Sequence, residues 1–269
     1  MNPGPASPTR THRVCAVVPA AGRGSRLGAD IPKVFVEIMP GFTIWDAVRR
    51  NLAPVVDQLV LVLSPQGHDY VAAHRDHFQP AAFDRTALGL QSSPLGMGDA
   101  IFGAAGLWRD FDDILIVWGD QFNVSPPTYR ACLRVHAILP APALTMPLVR
   151  VPQPYVEYVF DAADRLTAVR QSREGDVCAP HGFADVGVFL LSAGPPLLVA
   201  WQSYLAQGSR GASTGEINFL PFLVHLAKQA NWPVGRYETS DPAEAIGINT
   251  PADLAFARQI LQKNSLLNE

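Results

Sequence analysis

Uninterrupted apolar runs alternate with amphipathic stretches over the first half of the chain. Val14-Cys-Ala-Val-Val18, Leu59-Val-Leu-Val-Leu63 and Ile114-Leu-Ile-Val-Trp118 each have the pattern of a strand buried on both faces. Ala87 to Leu90 predicts a further strand. Between them, Thr43 to Leu52 reads as a helix with Thr43 as its N-cap. His68 to Phe78 and Asp99 to Trp108 read as two more helices. Strand and helix in alternation predict βαβ units around a parallel sheet. Such sheets bind ligands at the carboxyl ends of their strands. The loop carrying Gly22, Gly24 and Gly28 follows the first strand, and Gly119-Asp120 follows the fourth, so both lie at that edge.

The pattern changes after Pro140. Ala143–Val149, Tyr155–Phe160, Leu166–Val169 and Gly187–Leu191 are β-like runs, with Asp161-Ala-Ala-Asp164 as a turn. This half predicts a mixed or antiparallel extension. Asn218 to Gln229 predicts a helix, Pro233 to Tyr237 a strand, and Ala252 to Gln262 a final helix capped by Thr250 with Pro251 in its first turn. Residues 14–262 are expected to form a single domain, between a Pro/Ser/Thr-rich tail at 1–13 and a polar tail at 263–269.

Composition narrows the classes. Of 269 residues, 48% are hydrophobic and 17% charged, with a net charge of -3, which excludes global disorder. A mildly acidic balance argues against nucleic acid as a partner, though not against a local basic pocket for one phosphorylated ligand. No run approaches the ~20 apolar residues of a membrane helix. The first residues lack the apolar core of a signal peptide. Cys15, Cys132 and Cys178 have neither disulfide-framework nor zinc spacing. A cytoplasmic chain with no membrane contact is expected, as a monomer or a homo-oligomer.

The chemistry concentrates in Pro19-Ala-Ala-Gly-Arg-Gly-Ser-Arg-Leu27, followed by Pro32-Lys33. Glycines let backbone N–H groups approach an anion. Arg23 and Arg26 add forked donors matched to phosphate oxygens, and Lys33 adds a compact positive charge. The glycine spacing is neither that of a Walker loop nor the full dinucleotide fingerprint. The segment is therefore read as a phosphate loop in its own right, with Ala20, Ala21, Gly22, Arg23, Gly24 and Ser25 as nucleotide-binding candidates.

This segment resembles the signature of the nucleotidyltransferases that activate sugar 1-phosphates, and within them the uridylyltransferases of N-acetylglucosamine 1-phosphate. The resemblance implies an α/β Rossmann-like three-layer sandwich, the nucleotide-diphospho-sugar transferase fold, with a mostly parallel sheet and a small mixed β extension. Gln91-Ser-Ser-Pro-Leu-Gly-Met-Gly-Asp-Ala100 resembles the family's base-reading segment, which implies that Gln91, Gly96 and Gly98 meet the base. Gly119-Asp120 and Gly247-Ile-Asn-Thr-Pro-Ala-Asp-Leu254 resemble the segments that hold Mg²⁺, which implies Asp120 and Asn249 as its ligands. The implied reaction is in-line attack of a phosphorylated sugar or alcohol on the α-phosphorus of a nucleoside triphosphate. In it Arg26 binds the departing phosphates, and Lys33 sits against the α-phosphate and the incoming phosphate. UTP is the leading nucleotide, with CTP, GTP and dTTP as alternatives.

The acceptor pocket departs from that pattern. Val156 stands for a Gly beside Tyr155, Gln171 for a Glu, and Asp185 for an Asn. Tyr155, Glu157, Gln171 and Asp185 are therefore candidates to read a different phosphorylated alcohol. Gln121-Phe-Asn-Val124, after Asp120, also lacks the family's usual proline-containing continuation. Val17-Val-Pro-Ala-Ala-Gly22 resembles in addition the opening of the cytidylyltransferases of polyol phosphates. A cytidylyl- or guanylyltransferase on a non-sugar phosphate stays open, as does a catalytically silent nucleotide-binding module. No hexapeptide repeat follows the final helix, so acetyl transfer is not expected. His74 and His77 have metal-like spacing but stand beside Arg75 and Asp76, where solvated side chains are expected.

Overall fold

The computed structural model describes residues 12–22, 27–28, 31–78, 81–208 and 210–266, the last three by backbone alone. In chain order the strands are β1 (Val14–Pro19), β2 (Glu37–Met39), β3 (Phe42–Thr43), β4 (Gln58–Leu63), β5 (Thr86–Leu90) and β6 (Asp113–Val117). They continue as β7 (Leu144–Pro152), β8 (Val156–Phe160), β9 (Leu166–Gln171), β10 (His181–Asp185), β11 (Val188–Ser192) and β12 (Val234–Glu238). The helices are α1 (Ile44–Leu52), α2 (Pro65–Ala73), α3 (Met97–Gly103), α4 (Ala105–Trp108), α5 (Pro126–Ala137), α6 (Pro195–Ala206), α7 (Leu220–Lys228) and α8 (Pro251–Leu266).

The main sheet has the order β5-β4-β1-β6-β11-β7-β10-β8-β9, and β12 pairs with β7. Strands β5, β4, β1 and β6 run parallel. β11 is antiparallel to both β6 and β7, and β8, β9 and β10 extend the far edge as antiparallel ribbons. β2 and β3 form a separate hairpin. The mostly parallel sheet with a mixed extension is the architecture the sequence predicts.

Period-two alternation sorts each central strand onto two faces. Val14, Ala16 and Val18 of β1 pack into one core with α1, α5 and α8. Cys15 and Val17 pack into the other with α3, α6 and α7. The sheet is thus the middle of three layers. Cys15 and Cys132 are fully buried, and burial pushes the Cys15 thiol up to about 12 and that of Cys132 further still. Cys178 is half-buried. A water-soluble disulfide reagent is therefore expected to titrate no more than one thiol in the native chain and all three after denaturation. Two reactive native thiols would contradict this core.

Side-chain caps fix the starts of α1, α2, α5 and α8. Thr43 and Asp46 form a reciprocal capping box on α1. The Thr250 hydroxyl accepts from Asp253 N at 3.2 Å, and Asp253 Oδ2 accepts from Thr250 N at 2.7 Å, fixing the start of α8. That helix runs four residues past the expected Gln262.

Other boundaries also differ from expectation. The helix read from His68 to Phe78 begins earlier, at Pro65, where Ser64 caps it through Gly67 N. It stops at Ala73, where the half-buried His74 ring bonds Tyr70 O at 2.9 Å and stacks on the Tyr70 ring, and a 3-10 turn follows. The helix read from Asp99 to Trp108 is two short helices broken at Ala104, and Trp108 Nε1 donates to Ile101 O. At the chain start, His12 is held by Asp113 Oδ2 at 2.6 Å and Arg13 N by Asp112 Oδ2 at 2.8 Å, so these two residues of the expected tail are anchored.

Candidate functional site

A cavity of about 690 Å³ opens at the carboxyl ends of β1, β5 and β6, within the usual size of a small-ligand site. The β1 end contributes Pro19 to Gly22, the β5 end Gln91, and the β6 end Trp118 to Gln121. The antiparallel extension supplies the opposite wall through Val151, Val156, Gln171 and Asp185.

Three residues far apart in sequence meet at one end. Lys33 Nζ donates to Asp120 Oδ2 at 2.5 Å and to Asn249 Oδ1 at 3.0 Å. Each is aimed by its own local structure. Lys33 opens a 3-10 turn whose next residues, Val34 and Phe35, are buried, and the Phe35 ring stacks on Tyr70 at 5.4 Å. Asp120 follows directly from β6. Asn249 precedes α8; its N is held by Asp253 Oδ2 at 2.9 Å and its amide N–H turns to Gly247 O, leaving Oδ1 toward Lys33. Ile248 N donates to Asp120 O at 3.1 Å, closing the two segments on each other. Gly247 suits this closure, since a Cβ there would lie 3.0 Å from Asp120 Cγ and press the carboxylate out of place by a few tenths of an ångström.

A carboxylate oxygen and an amide carbonyl oxygen converging on one ammonium form a hard-donor pair that suits a cation. Among the described residues no cluster of three or more His, Cys, Asp and Glu side chains could hold a metal. Two protein oxygens nevertheless match Mg²⁺, which keeps waters and substrate phosphates as its other ligands. Asp120 and Asn249 therefore fit the role expected of them.

Behind this pair lies Glu244, which sequence reasoning missed. Only 3% exposed, it accepts from Ser125 N and Thr239 Oγ1 at 2.9 Å, and from Thr128 Oγ1 at 2.8 Å. Ser125 caps α5 shortly after Asp120, and Glu244 shortly precedes Asn249. One buried carboxylate thus ties together the segments that carry both oxygens.

At the other end, Gln91 is buried in the cavity wall. Its Nε2 donates to Gly96 O at 2.8 Å and to Asp99 Oδ2 at 2.9 Å. Gly96 has φ of +115°, and a Cβ there would stand 2.8 Å from the Ile217 backbone. Gly98 N reaches Ile217 O, and Ile217 N reaches Leu95 O. Gln91, Gly96 and Gly98 thus share one tightly closed turn.

The acceptor candidates separate. Gln171 lines the cavity, and its Oε1 accepts from Asn218 Nδ2 at 3.1 Å. Asp185 also lines it, accepting from Tyr158 OH at 2.9 Å and Gly187 N at 2.7 Å. Loss of water pushes the Asp185 carboxyl above the usual range, against those hydrogen bonds, and repulsion from Asp120 adds to the rise. Tyr155 lies at the rim, 61% exposed. Glu157 is not brought to the cavity. Val156 faces it, so strand alternation turns Glu157 away, to Arg170 Nη1 at 2.9 Å and Ala179 N at 3.0 Å.

Arg23, Gly24, Ser25 and Arg26 lie outside the described residues, whereas Ala20, Ala21 and Gly22 line the cavity. Trp118, Gln121 and Asn218 also line it and carried no motif. Gln121 Oε1 is buried without a partner among the described residues, a polar atom left over beside Asp120.

Comparisons with known proteins show what the chain is similar to. The chain is similar to the bifunctional protein GlmU of Acidithiobacillus ferrooxidans, 27% identical over 255 residues, covering 93% of this chain and 52% of that protein. GlmU of Geobacter metallireducens is 26% identical over 262 residues, covering 95% and 52%. The chain thus spans about half the length of these curated relatives. A 2-C-methyl-D-erythritol 4-phosphate cytidylyltransferase of Corynebacterium diphtheriae is 44% identical over 64 residues, 23% of this chain and 26% of that protein. Among solved structures, 4-diphosphocytidyl-2C-methyl-D-erythritol synthase from Anaerococcus prevotii has a TM-score of 0.64 at 13% identity, covering 93% of this chain and 99% of that one. HddC from Yersinia pseudotuberculosis, complexed with GMP-PN, has a TM-score of 0.63 at 18% identity, covering 92% and 99%. These structures share the fold. The pattern of the MobA-like NTP transferase domain matches residues 16–184, and the chain belongs to that family of nucleotidyltransferases.

Proposed function

We propose that the chain is a Mg²⁺-dependent, cytoplasmic nucleotidyltransferase that moves a nucleoside monophosphate, UMP in the first place, onto a sugar 1-phosphate or similar phosphorylated alcohol and releases pyrophosphate. The observation that carries this reading is the meeting of Lys33 with Asp120 and Asn249 at 2.5 and 3.0 Å, in the cavity that Ala20, Ala21 and Gly22 also line. The GlmU relatives support the uridylyl form. The cytidylyltransferase match keeps CTP as the second reading.

Phosphoryl-type transfer asks little covalent work of a protein; positioning and charge neutralisation dominate. Lys33 places its ammonium against the α-phosphate and the attacking phosphate oxygen. Asp120 and Asn249 would hold Mg²⁺, which when bound supplies further neutralisation of the phosphates. Arg26, with Arg23, is assigned to the departing pyrophosphate. Gln91 with the Gly96 turn faces the base, and Asp185 and Gln171 meet the acceptor hydroxyls. When ionised, Asp185 offers acceptors alone, so in that form it pairs with hydroxyl or amine donors and not with an acetamido carbonyl.

The test is pyrophosphate release with Mg²⁺, each nucleoside triphosphate against a panel of sugar 1-phosphates and polyol phosphates, with Asp120→Ala as control. Release that depends on one triphosphate, one acceptor and Asp120 is expected. Nucleotide binding with silence across the panel would favour the non-catalytic module.

A further inference from the structure

The segment from Gln91 to Ala100 contains a carboxylate, Asp99, that touches Gln91 and that the proposed function does not use. Gln91 presents its amide from the cavity wall, and both hydrogens of Nε2 are taken, by Gly96 O at 2.8 Å and Asp99 Oδ2 at 2.9 Å. A backbone carbonyl and an ionised carboxylate can only accept. Together they dictate which way round the amide lies, so its orientation follows from the chemistry of its neighbours. Gln91 Oε1, by contrast, has no partner among the described residues. The carbonyl that turns the amide sits in a turn held to Ile217 on both sides, by Ile217 N to Leu95 O and by Gly98 N to Ile217 O, with Gly96 packed close against the Ile217 backbone. Asp99 stands in the first turn of α3, half-buried, and is not among the residues that line the main cavity.

We propose that Asp99 is a positioning residue that locks the Gln91 amide, so that a single acceptor, Oε1, reads the nucleobase and selects an edge offering an N–H at that point. The proposal rests on the nucleotide-binding reading given above. A free glutamine amide presents donor and acceptor side by side and can turn over. It can then pair with the N–H and carbonyl of uracil, or with the ring nitrogen and amino group of cytosine, whose pattern is reversed. With both hydrogens withdrawn, that ambiguity is gone. Selection then depends on where the base places one N–H group. Asp99 acts on this choice only through Gln91, since it does not itself reach the cavity.

Equilibrium binding of Mg-UTP, Mg-CTP, Mg-GTP and Mg-ATP to the full chain tests this, because it needs no acceptor. In the wild type one triphosphate is expected to bind best. Asp99→Leu removes the acceptor at similar volume and is expected to reduce the affinity ratio between that triphosphate and its nearest competitor about tenfold, the worth of one hydrogen bond. Asp99→Asn keeps an acceptor oxygen and is expected to restore most of the ratio. Gln91→Leu is expected to reduce it at least as far as Asp99→Leu. A ratio, unlike a single affinity, does not move when part of the sample fails to fold. An unchanged ratio in Asp99→Leu, with Gln91→Leu lowering it, would overturn the lock and leave the base site standing. An unchanged ratio in both would overturn the lock together with base reading by Gln91. No binding of any triphosphate to the wild type would overturn the nucleotide reading itself.

Discussion

Lys33→Ala and Asp120→Ala are each expected to lower pyrophosphate release about 10²–10³-fold, the usual cost of losing a preorganised charge where charge develops. The two side chains form an ion pair at 2.5 Å, with side-chain exposures of 21% and 17%. A pair that water still reaches contributes little to stability. The melting temperature should therefore shift by only a few degrees in either variant, so that lost turnover reports on the site and not on the fold. Lys33→Arg is not expected to rescue. The planar guanidinium cannot replace a compact ammonium aimed at both Asp120 and Asn249 from a turn fixed by buried Phe35. Initial rates at saturating triphosphate, paired with thermal melts, measure both quantities. Wild-type turnover in both alanine variants would place the chemistry elsewhere.

What the sequence makes legible here follows from topology. Lys33 is 87 positions from Asp120 and 216 from Asn249, yet all three gather at one sheet edge. Apolar runs mark the strands, parallel order follows from the intervening helices, and loops after parallel strands share one end. Chemistry encoded in a loop is therefore located once the strand is recognised. Direction within a strand is less legible. Glu157 and Val156 are adjacent, and only the register of β8 against β9, which pairs Glu157 with Arg170, decides that the valine faces the cavity. Helices α5 and α6 carry no periodicity signal at their starts, because each begins with Pro-Pro, and β10 is too polar to read as a strand. Glu244 has no local signature at all. Its Ser125 and Thr128 partners lie 119 and 116 positions away and are defined only by the completed fold.

That carboxylate gives the largest expected effect on stability. Glu244→Ala is expected to cost about 3 kcal/mol, since it removes the shared acceptor of a buried network whose hydrogen bonds run to a charged group. Ser125 N is the worst placed afterwards. It precedes α5, where no backbone carbonyl of the helix can take it, while the hydroxyls of Thr128 and Thr239 can rotate toward other acceptors. In a chain of this size the loss corresponds to a fall of roughly 6–12 °C in melting temperature. Glu244→Gln is expected to lose less than half as much, because its carbonyl still accepts from Ser125 N and its amide can donate to a threonine oxygen. Turnover should fall further than stability alone requires at temperatures where both variants remain folded. The reason is geometric: Ser125 and Glu244 bracket the segments of Asp120 and Asn249, and loosening them spreads the two oxygens that must act together. A melt within 2 °C of wild type for Glu244→Ala would mean that the Ile248–Asp120 backbone bond and the tight seat of Gly247 already hold those segments without it.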